Sequence, residues 1–287
     1  MKKEMLEEIL NEKLTGMSSV GGGCIADSQV ISTQSGRKYF LKQGFSNGMF
    51  RNEANGLKEL AKPNAIKTPE VIDFGEDYLI LEHIEQGSRK KNFFEEFGRK
   101  FAELHRFSSD KFGFFEDNFI GSTPQKNLPA EDEAANWANF YWNKRLMFQL
   151  KLAEENGYAD EKMLRHFSRL EEIYESLLNG SEEPPALMHG DLWSGNYMSD
   201  IDGNPVIIDP AVYYGHREAD LAMTKLFGGF SGTFYKTYNE TWPLKDGAER
   251  REPLYLLYHV MNHLNLFGPG YYGQAINLIE KLTREKA

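Results

Sequence analysis

One stretch of this chain combines residue types and spacings suited to moving a phosphoryl group from ATP. In His189-Gly190-Asp191-Leu192-Trp193-Ser194-Gly195-Asn196, an acid precedes an amide by five residues. The same interval separates the catalytic Asp from the metal-binding Asn in the kinase pattern His-Arg-Asp-Leu-x-x-x-Asn. Asp209 then ends the apolar run Val206-Ile207-Ile208, where a kinase carries its second metal-binding acid. A carboxylate such as Asp191 positions the acceptor hydroxyl and takes its proton late, because the transition state is loose. The amide oxygen of Asn196 and the carboxylate of Asp209 are hard ligands suited to Mg2+.

Phosphates also need close backbone approach and a cation. Glycines permit the first, and Gly22 and Gly23 lie in Gly21-Gly22-Gly23-Cys24-Ile25-Ala26. The run departs from the kinase Gly-x-Gly-x-x-Gly, since Ala26 replaces the last glycine, and no Gly-Lys-Ser/Thr follows to make a Walker A loop. Cys24 reads as a small apolar residue. If exposed beside phosphate-binding amides, its thiolate would be favoured and the loop would be redox-sensitive. Lys42 ends the alternating run Tyr39-Phe40-Leu41-Lys42, and Glu53 on the following helix is placed to pair with it. His83, Ile84 and Glu85, at the end of the last strand of the first half, occupy the segment whose backbone would grip adenine. His259 and His263 share the spacing of His-Glu-x-x-His, but Val260 replaces the general base and the flanking residues are apolar. They read as part of a packed helix and not as a zinc site.

The elements that position these groups follow from periodicity. A polar helix is expected over the first sixteen or so residues, with Gly16 at its end. Strands are expected over 24–31 and 38–42, a helix over 50–61, and strands over 71–75 and 78–83. From Phe93 onward the pattern turns helical, with long helices over 137–155 and 161–178. Pro184-Pro185 breaks the second of these and delivers the chain to His189. A short buried strand is expected at Val206-Ile207-Ile208, then helices near 218–227 and 254–267. This is an α+β, two-lobed architecture, with residues 1–84 as a small nucleotide-binding lobe and 85–287 as a mainly helical catalytic and substrate lobe.

Composition narrows the class. The 287 residues, 40% hydrophobic and 26% charged, are those of an ordinary globular protein. A net charge of -10 argues against nucleic acid as the main partner. One cysteine rules out an intramolecular disulfide framework. The charged N-terminus does not read as a signal peptide, and no apolar run approaches membrane-spanning length, so the cytoplasm is the expected location and no membrane partner is expected.

Taken together, these motifs resemble the fructosamine/ketosamine kinase family, a branch of the aminoglycoside and choline kinase-like fold. The resemblance includes Gly21-Gly22-Gly23-Cys24-Ile25, Met49-Phe50-x-x-Glu53-Ala54 and Ile120-Gly121-Ser122-Thr123-Pro124-Gln125. It is most specific at His189 to Asn196 and in the run from Asp209-Pro210-Ala211-Val212-Tyr213-Tyr214-Gly215-His216 to Ala222. Leu257 to Gly268 also fits. The resemblance implies a two-lobed kinase fold, ATP and Mg2+, and phosphorylation of the carbon-3 hydroxyl of a ketosamine, free or protein-bound. The phosphate would then leave readily and free the amine, which is a deglycation. It implies that Asp191 is the base, Asn196 and Asp209 the metal ligands, and Lys42 the phosphate contact. Trp193 is a candidate to lie against the sugar or its amine substituent, and Tyr214 and His216 to bond sugar hydroxyls. Asp220 is expected to hold the catalytic loop in place. An aminoglycoside- or choline-type kinase shares the same catalytic set, while a nucleotide-sensing pseudokinase would be expected to lack a member of it. A protein kinase fits less well, because Asp209 is followed by Pro and not by Phe-Gly.

Overall fold

Side chains alternate across a strand, so Tyr39 and Leu41 face one side of the first sheet while Phe40 and Lys42 face the other. The computed structural model, which describes residues 1–20, 27–44 and 47–284, is built on that division. Helix α1 (Lys3–Leu10) leads to β1 (Leu14–Ser19), β2 (Asp27–Thr33) and β3 (Lys38–Gln43). Helix α2 (Met49–Ala61) leads to β4 (Val71–Phe74) and β5 (Tyr78–Glu82). The strands form one antiparallel sheet in the order β1-β2-β3-β5-β4. Tyr39 and Leu41 pack with Ile31 and Ile80 beneath Leu6 and Leu10 of α1. On the opposite face, Leu79, Leu81 and Phe40 meet the stripe Phe50, Ala54 and Leu57 of α2.

The first helix is shorter than its composition suggests. It stops at Leu10, where Asn11 turns left-handed (φ 50°) and its N–H donates to the carbonyls of Glu7 and Glu8. Asn adopts that conformation at lower cost than most residues. The segment that would have extended the helix to Gly16 instead forms edge strand β1. Only Leu14 of that strand is buried, so no alternating pattern announced it.

Beyond β5 the chain forms α3 (Phe93–His105), the hairpin β6 (Asn118–Ile120) and β7 (Thr123–Gln125), then α4 (Glu131–Ala135), α5 (Trp137–Tyr141) and α6 (Phe148–Glu155). The expected helix over 137–155 is one run whose middle, Trp142–Met147, widens into a π-helical turn. The expected helix over 161–178 divides into α7 (Glu161–Glu171) and α8 (Tyr174–Leu178), because Ile173 leaves helical geometry at φ -128°. Four short strands carry the reactive segments: β8 (Ala186–Met188), β9 (Tyr197–Ser199), β10 (Pro205–Ile207) and β11 (Tyr213–Gly215). They pair as β9 with β10 and β8 with β11. Helices α9 (Arg217–Lys225), α10 (Gly232–Thr241), α11 (Ala248–Phe267) and α12 (Tyr272–Arg284) complete the chain. Helix α11 begins six residues earlier than its apolar pattern implies, and α10 had not been anticipated. A single large core, with Phe97, Phe101, Leu187, Met188 and Leu254 fully buried, underlies all of them. Among the described residues no helix is long and apolar enough to cross a membrane.

Two regions join sheet and helices. Residues 83–87 cross from β5, and Gly87 N–H donates to the Ser199 carbonyl at 3.2 Å. Helix α2 provides the second connection. Asn52 donates to the Asp117 carbonyl at 3.2 Å and Asn55 to Glu116 at 2.9 Å. Gly56 lies so close to the helical part that a Cβ there would be 3.2 Å from Val212 and 3.3 Å from Pro210.

Candidate active site

Between sheet and helices lies a cleft of about 830 Å³. Val30 and Phe40 from the sheet, with Met198 and Ile208 from the opposite side, give it an apolar inner end, while Lys42, Glu53, Asp191, Asn196 and Asp209 line its polar part. Such a division suits a purine at one end and phosphates at the other.

Lys42 is placed by β3, whose register sets it opposite Leu79 of β5. Its Nζ donates to Glu53 at 2.8 Å and to Asp209 at 2.6 Å. Burial alone would depress its pKa, but the two carboxylates more than offset that and hold it above the ordinary lysine value. Glu53 moves up, because burial and then the neighbouring Asp209 outweigh the pull of Lys42. The expected Lys42–Glu53 pair is therefore present, and Asp209 shares the same cation.

The catalytic loop is held by its own backbone. Gly190 has φ +84°, and a Cβ there would lie 2.0 Å from the Ala211 carbonyl oxygen, so only glycine fits. Asp220 accepts from the N–H of His189 at 2.6 Å and of Gly190 at 2.8 Å. His189 Nε2 donates to the Ile208 carbonyl at 2.9 Å, and the Asp191 N–H is 3.3 Å from its Nδ1. One imidazole thus bridges the loop to the strand that delivers Asp209. Burial would raise the Asp220 pKa, but His105, His189 and the backbone N–H of Gly190 keep it below the usual carboxylate value.

Asp191 points into the cleft from this loop. Burial, then the carboxylates of Asp209 and Asp220, push its pKa well above the usual range. Asn196 Nδ2 donates to the Asp191 carbonyl at 2.8 Å. That commitment leaves Oδ1 as the atom suited to a cation. Asp209 sits at φ +53°, a left-handed conformation that Asp tolerates better than bulky residues, and its side chain is 46% exposed. Among the described residues no group of three or more His, Cys, Asp and Glu is placed to hold a metal. Two oxygen donors from Asn196 and Asp209 still fit Mg2+, which keeps several waters and is commonly completed by substrate phosphates.

The other expected residues are placed as follows. His83 and Ile84 line the cleft, whereas exposed Glu85 lies outside the lining. Gly22, Gly23 and Cys24 fall outside the described residues. Trp193 lines the cleft mouth, 36% exposed. Tyr214 and His216 depart from the sugar-binding expectation, because neither lines the cleft. Strand β11 turns Tyr214 into the interior, where its hydroxyl donates to Glu59 of α2 at 2.8 Å. His216 is 2% exposed; its Nε2 donates to the Ser181 carbonyl at 2.7 Å, and Tyr255 stacks on its ring. We therefore expect Tyr214→Phe to leave turnover unchanged while costing on the order of 1–2 kcal/mol in urea unfolding. A raised KM for the acceptor would contradict this. His259 is buried, which pulls its pKa down to about 3, and its carbonyl meets His263 Nδ1 at 2.7 Å.

Sequence reasoning missed the hairpin turn that contributes Asn118, Phe119 and Gly121 to the cleft. It also missed the buried amides behind Asp209. Gln125 donates to the Ala211 carbonyl at 2.9 Å, Asn118 to the Val212 carbonyl at 2.8 Å, and Tyr258 to Gln125 at 2.8 Å. The run from Ile120 to Gln125 had been noticed as a string, but nothing in it signalled this bracing. Arg89, also on the cleft wall, lies over the rings of Phe93, Phe94 and Tyr197 at 5.1 to 5.3 Å.

An antiparallel sheet bearing a paired lysine, set above a helical lobe bearing Asp191, Asn196 and Asp209, defines a phosphotransferase of the protein-kinase-like fold. A solved aminoglycoside phosphotransferase in complex with ADP and hygromycin B shares this fold, with a TM-score of 0.68 at 15% identity, covering 99% of this chain and 98% of that one. The chain belongs to the fructosamine kinase family, whose profile it matches over residues 1–285. It is 43% identical to a chloroplastic protein-ribulosamine 3-kinase of Oryza sativa subsp. indica, over 99% of this chain and 83% of that protein. It is 34% identical to the ketosamine-3-kinase of Mus musculus, over 97% of this chain and all of that protein. A solved structure from Thermobifida fusca assigned as a fructosamine-3-kinase superposes with a TM-score of 0.90 at 30% identity, covering 98% of each chain.

Proposed function

We propose that the protein transfers the γ-phosphoryl group of ATP to the carbon-3 hydroxyl of a ketosamine, the adduct of a sugar with an amine. Membership of the fructosamine kinase family supports the acceptor class. The observation that carries the reading is the meeting of Lys42, Glu53, Asp209, Asn196 and Asp191 on one cleft, beside the exposed indole of Trp193.

Residues 1–84 form the nucleotide lobe in this reading, and 85–287 the catalytic and acceptor lobe. Adenine enters the apolar end beside His83 and Ile84, and Lys42 exchanges Asp209 for phosphate oxygens. Mg2+ held by Asn196 and Asp209 would neutralise charge on those oxygens. Asp191 aligns the acceptor hydroxyl and receives its proton. The new bond joins phosphorus to the sugar oxygen, the bond to the bridging oxygen breaks, and ADP leaves. Trp193 offers a face to the sugar or its amine substituent.

Incubating the protein with Mg2+, ATP and a ribulose-lysine or fructose-lysine adduct tests this. The expected result is ADP release in step with a phosphorylated adduct that then decomposes to free amine. Turnover of choline or an aminoglycoside with none of any ketosamine would replace this reading with another acceptor. ATP binding without turnover would favour a sensor.

A further inference from the structure

The cleft mouth continues outward along a strip of aromatic rings. Trp193 meets Phe227, just past α9, edge-on with centroids 5.7 Å apart. Phe227 meets His263 of α11 at 5.0 Å, and His263 meets Phe267 at 5.4 Å and Tyr271 at 5.2 Å. Phe227 is 41% and Phe267 68% exposed. Exposed aromatics scattered singly need no explanation, but a contiguous run beginning at a catalytic loop does. The same end of α11 reaches the opposite side of the mouth, since Leu266 lies 3.1 Å from where a Cβ of Gly121 would be. Gly121 also lines the cleft. One helix end therefore borders the acceptor entrance on both sides.

We propose that this strip binds the polypeptide that carries the ketosamine, the residues flanking a modified lysine, and so favours protein-bound over free adducts. The inference rests on the ketosamine reading above. The hydroxyl that is phosphorylated lies at Asp191, the sugar reaches Trp193, and the amine substituent leaves the cleft in the direction of Phe227. Its three ring-to-ring steps from Trp193 to Phe267 match at most on the order of five residues of extended chain, at about 3.3 Å per residue. Flat, amphipathic rings grip such a chain without fixing its sequence. The net charge of -10 draws lysine-rich segments, which are where amine adducts form.

The test compares two acceptors, lysozyme reacted with ribose and the ribulose adduct of a single blocked lysine, for wild type and Phe267→Ala with Phe227→Ser. Both positions are exposed enough to change without unfolding the chain, which a melting curve checks. For the double variant the KM for the protein adduct rises about tenfold or more, the scale of losing aromatic anchors. Its kcat and its constants for the small adduct stay within about twofold of wild type, the expectation for a surface that small acceptors do not reach. Equal losses on both acceptors, or none on either, overturn the strip as a polypeptide site. A wild-type protein inert on both overturns the ketosamine reading itself.

Discussion

Asp191→Asn should abolish turnover and stabilise the protein at once. The loss of kcat should exceed about 100-fold, the scale of a general-base contribution, with the KM for ATP little changed. Stability should move the other way, because the carboxyl is set among Asp209 and Asp220 and its pKa is pushed up by burial and by both. A group whose folded-state pKa lies above its unfolded value favours folding while protonated. That support is complete below the unfolded pKa and is lost as pH rises through the folded one. At pH 8 the wild type therefore bears the full cost of a buried anion, and the amide variant does not. The melting temperature of Asp191→Asn should exceed that of wild type at pH 8, and the gap should close towards pH 4. A variant that is inactive and also less stable at pH 8 would show that Asp191 braces the loop and does not merely serve it.

Asp220→Ala should reduce both activity and stability. Its carboxylate accepts from the backbone of His189 and Gly190, and His105 Nε2 lies 3.2 Å away. Asp220 and its partners are almost fully buried, so water cannot replace the lost acceptor. Each buried donor left unmet costs about 1–3 kcal/mol, which puts the total at roughly 3 kcal/mol or more. In a domain of this size that should lower the melting temperature by on the order of 5 °C or more. Since the freed N–H groups flank Asp191, kcat should fall too. Asp220→Asn keeps one acceptor oxygen and should lie between. An alanine variant with wild-type melting and kcat would remove Asp220 from the frame.

The reactive residues were the most legible part of the sequence. The Asp191-to-Asn196 interval, the acid after an apolar strand and the lysine ending an alternating strand are local patterns, and each survives folding as a local geometry. Lys42 and Glu53 are 11 residues apart, and a strand followed by a helix suffices to pair them. What failed was long-range or lacked a pattern. Tyr214 and His216 follow Asp209 in a string that looks functional, yet strand parity turns Tyr214 towards Glu59, 155 residues away. Edge strand β1 buries one residue and shows no alternation. The amides of Asn118 and Gln125 bond carbonyls 94 and 86 residues distant, and no spacing in the sequence could reveal that.

Helix α2 carries the glutamate that holds Lys42, yet it is tied to the other half of the molecule through Asn52, Asn55, Gly56 and Glu59. It acts as a strut and not as a lever. Swinging it outward would break all four ties together, so the ion pair cannot serve as a toggle that is made and unmade by moving the helix. Admitting nucleotide must instead come from the sheet flexing over α2 and from the crossing at residues 83–87. A catalyst assembled this way idles in its competent form, and the arrival of an acceptor sets its pace.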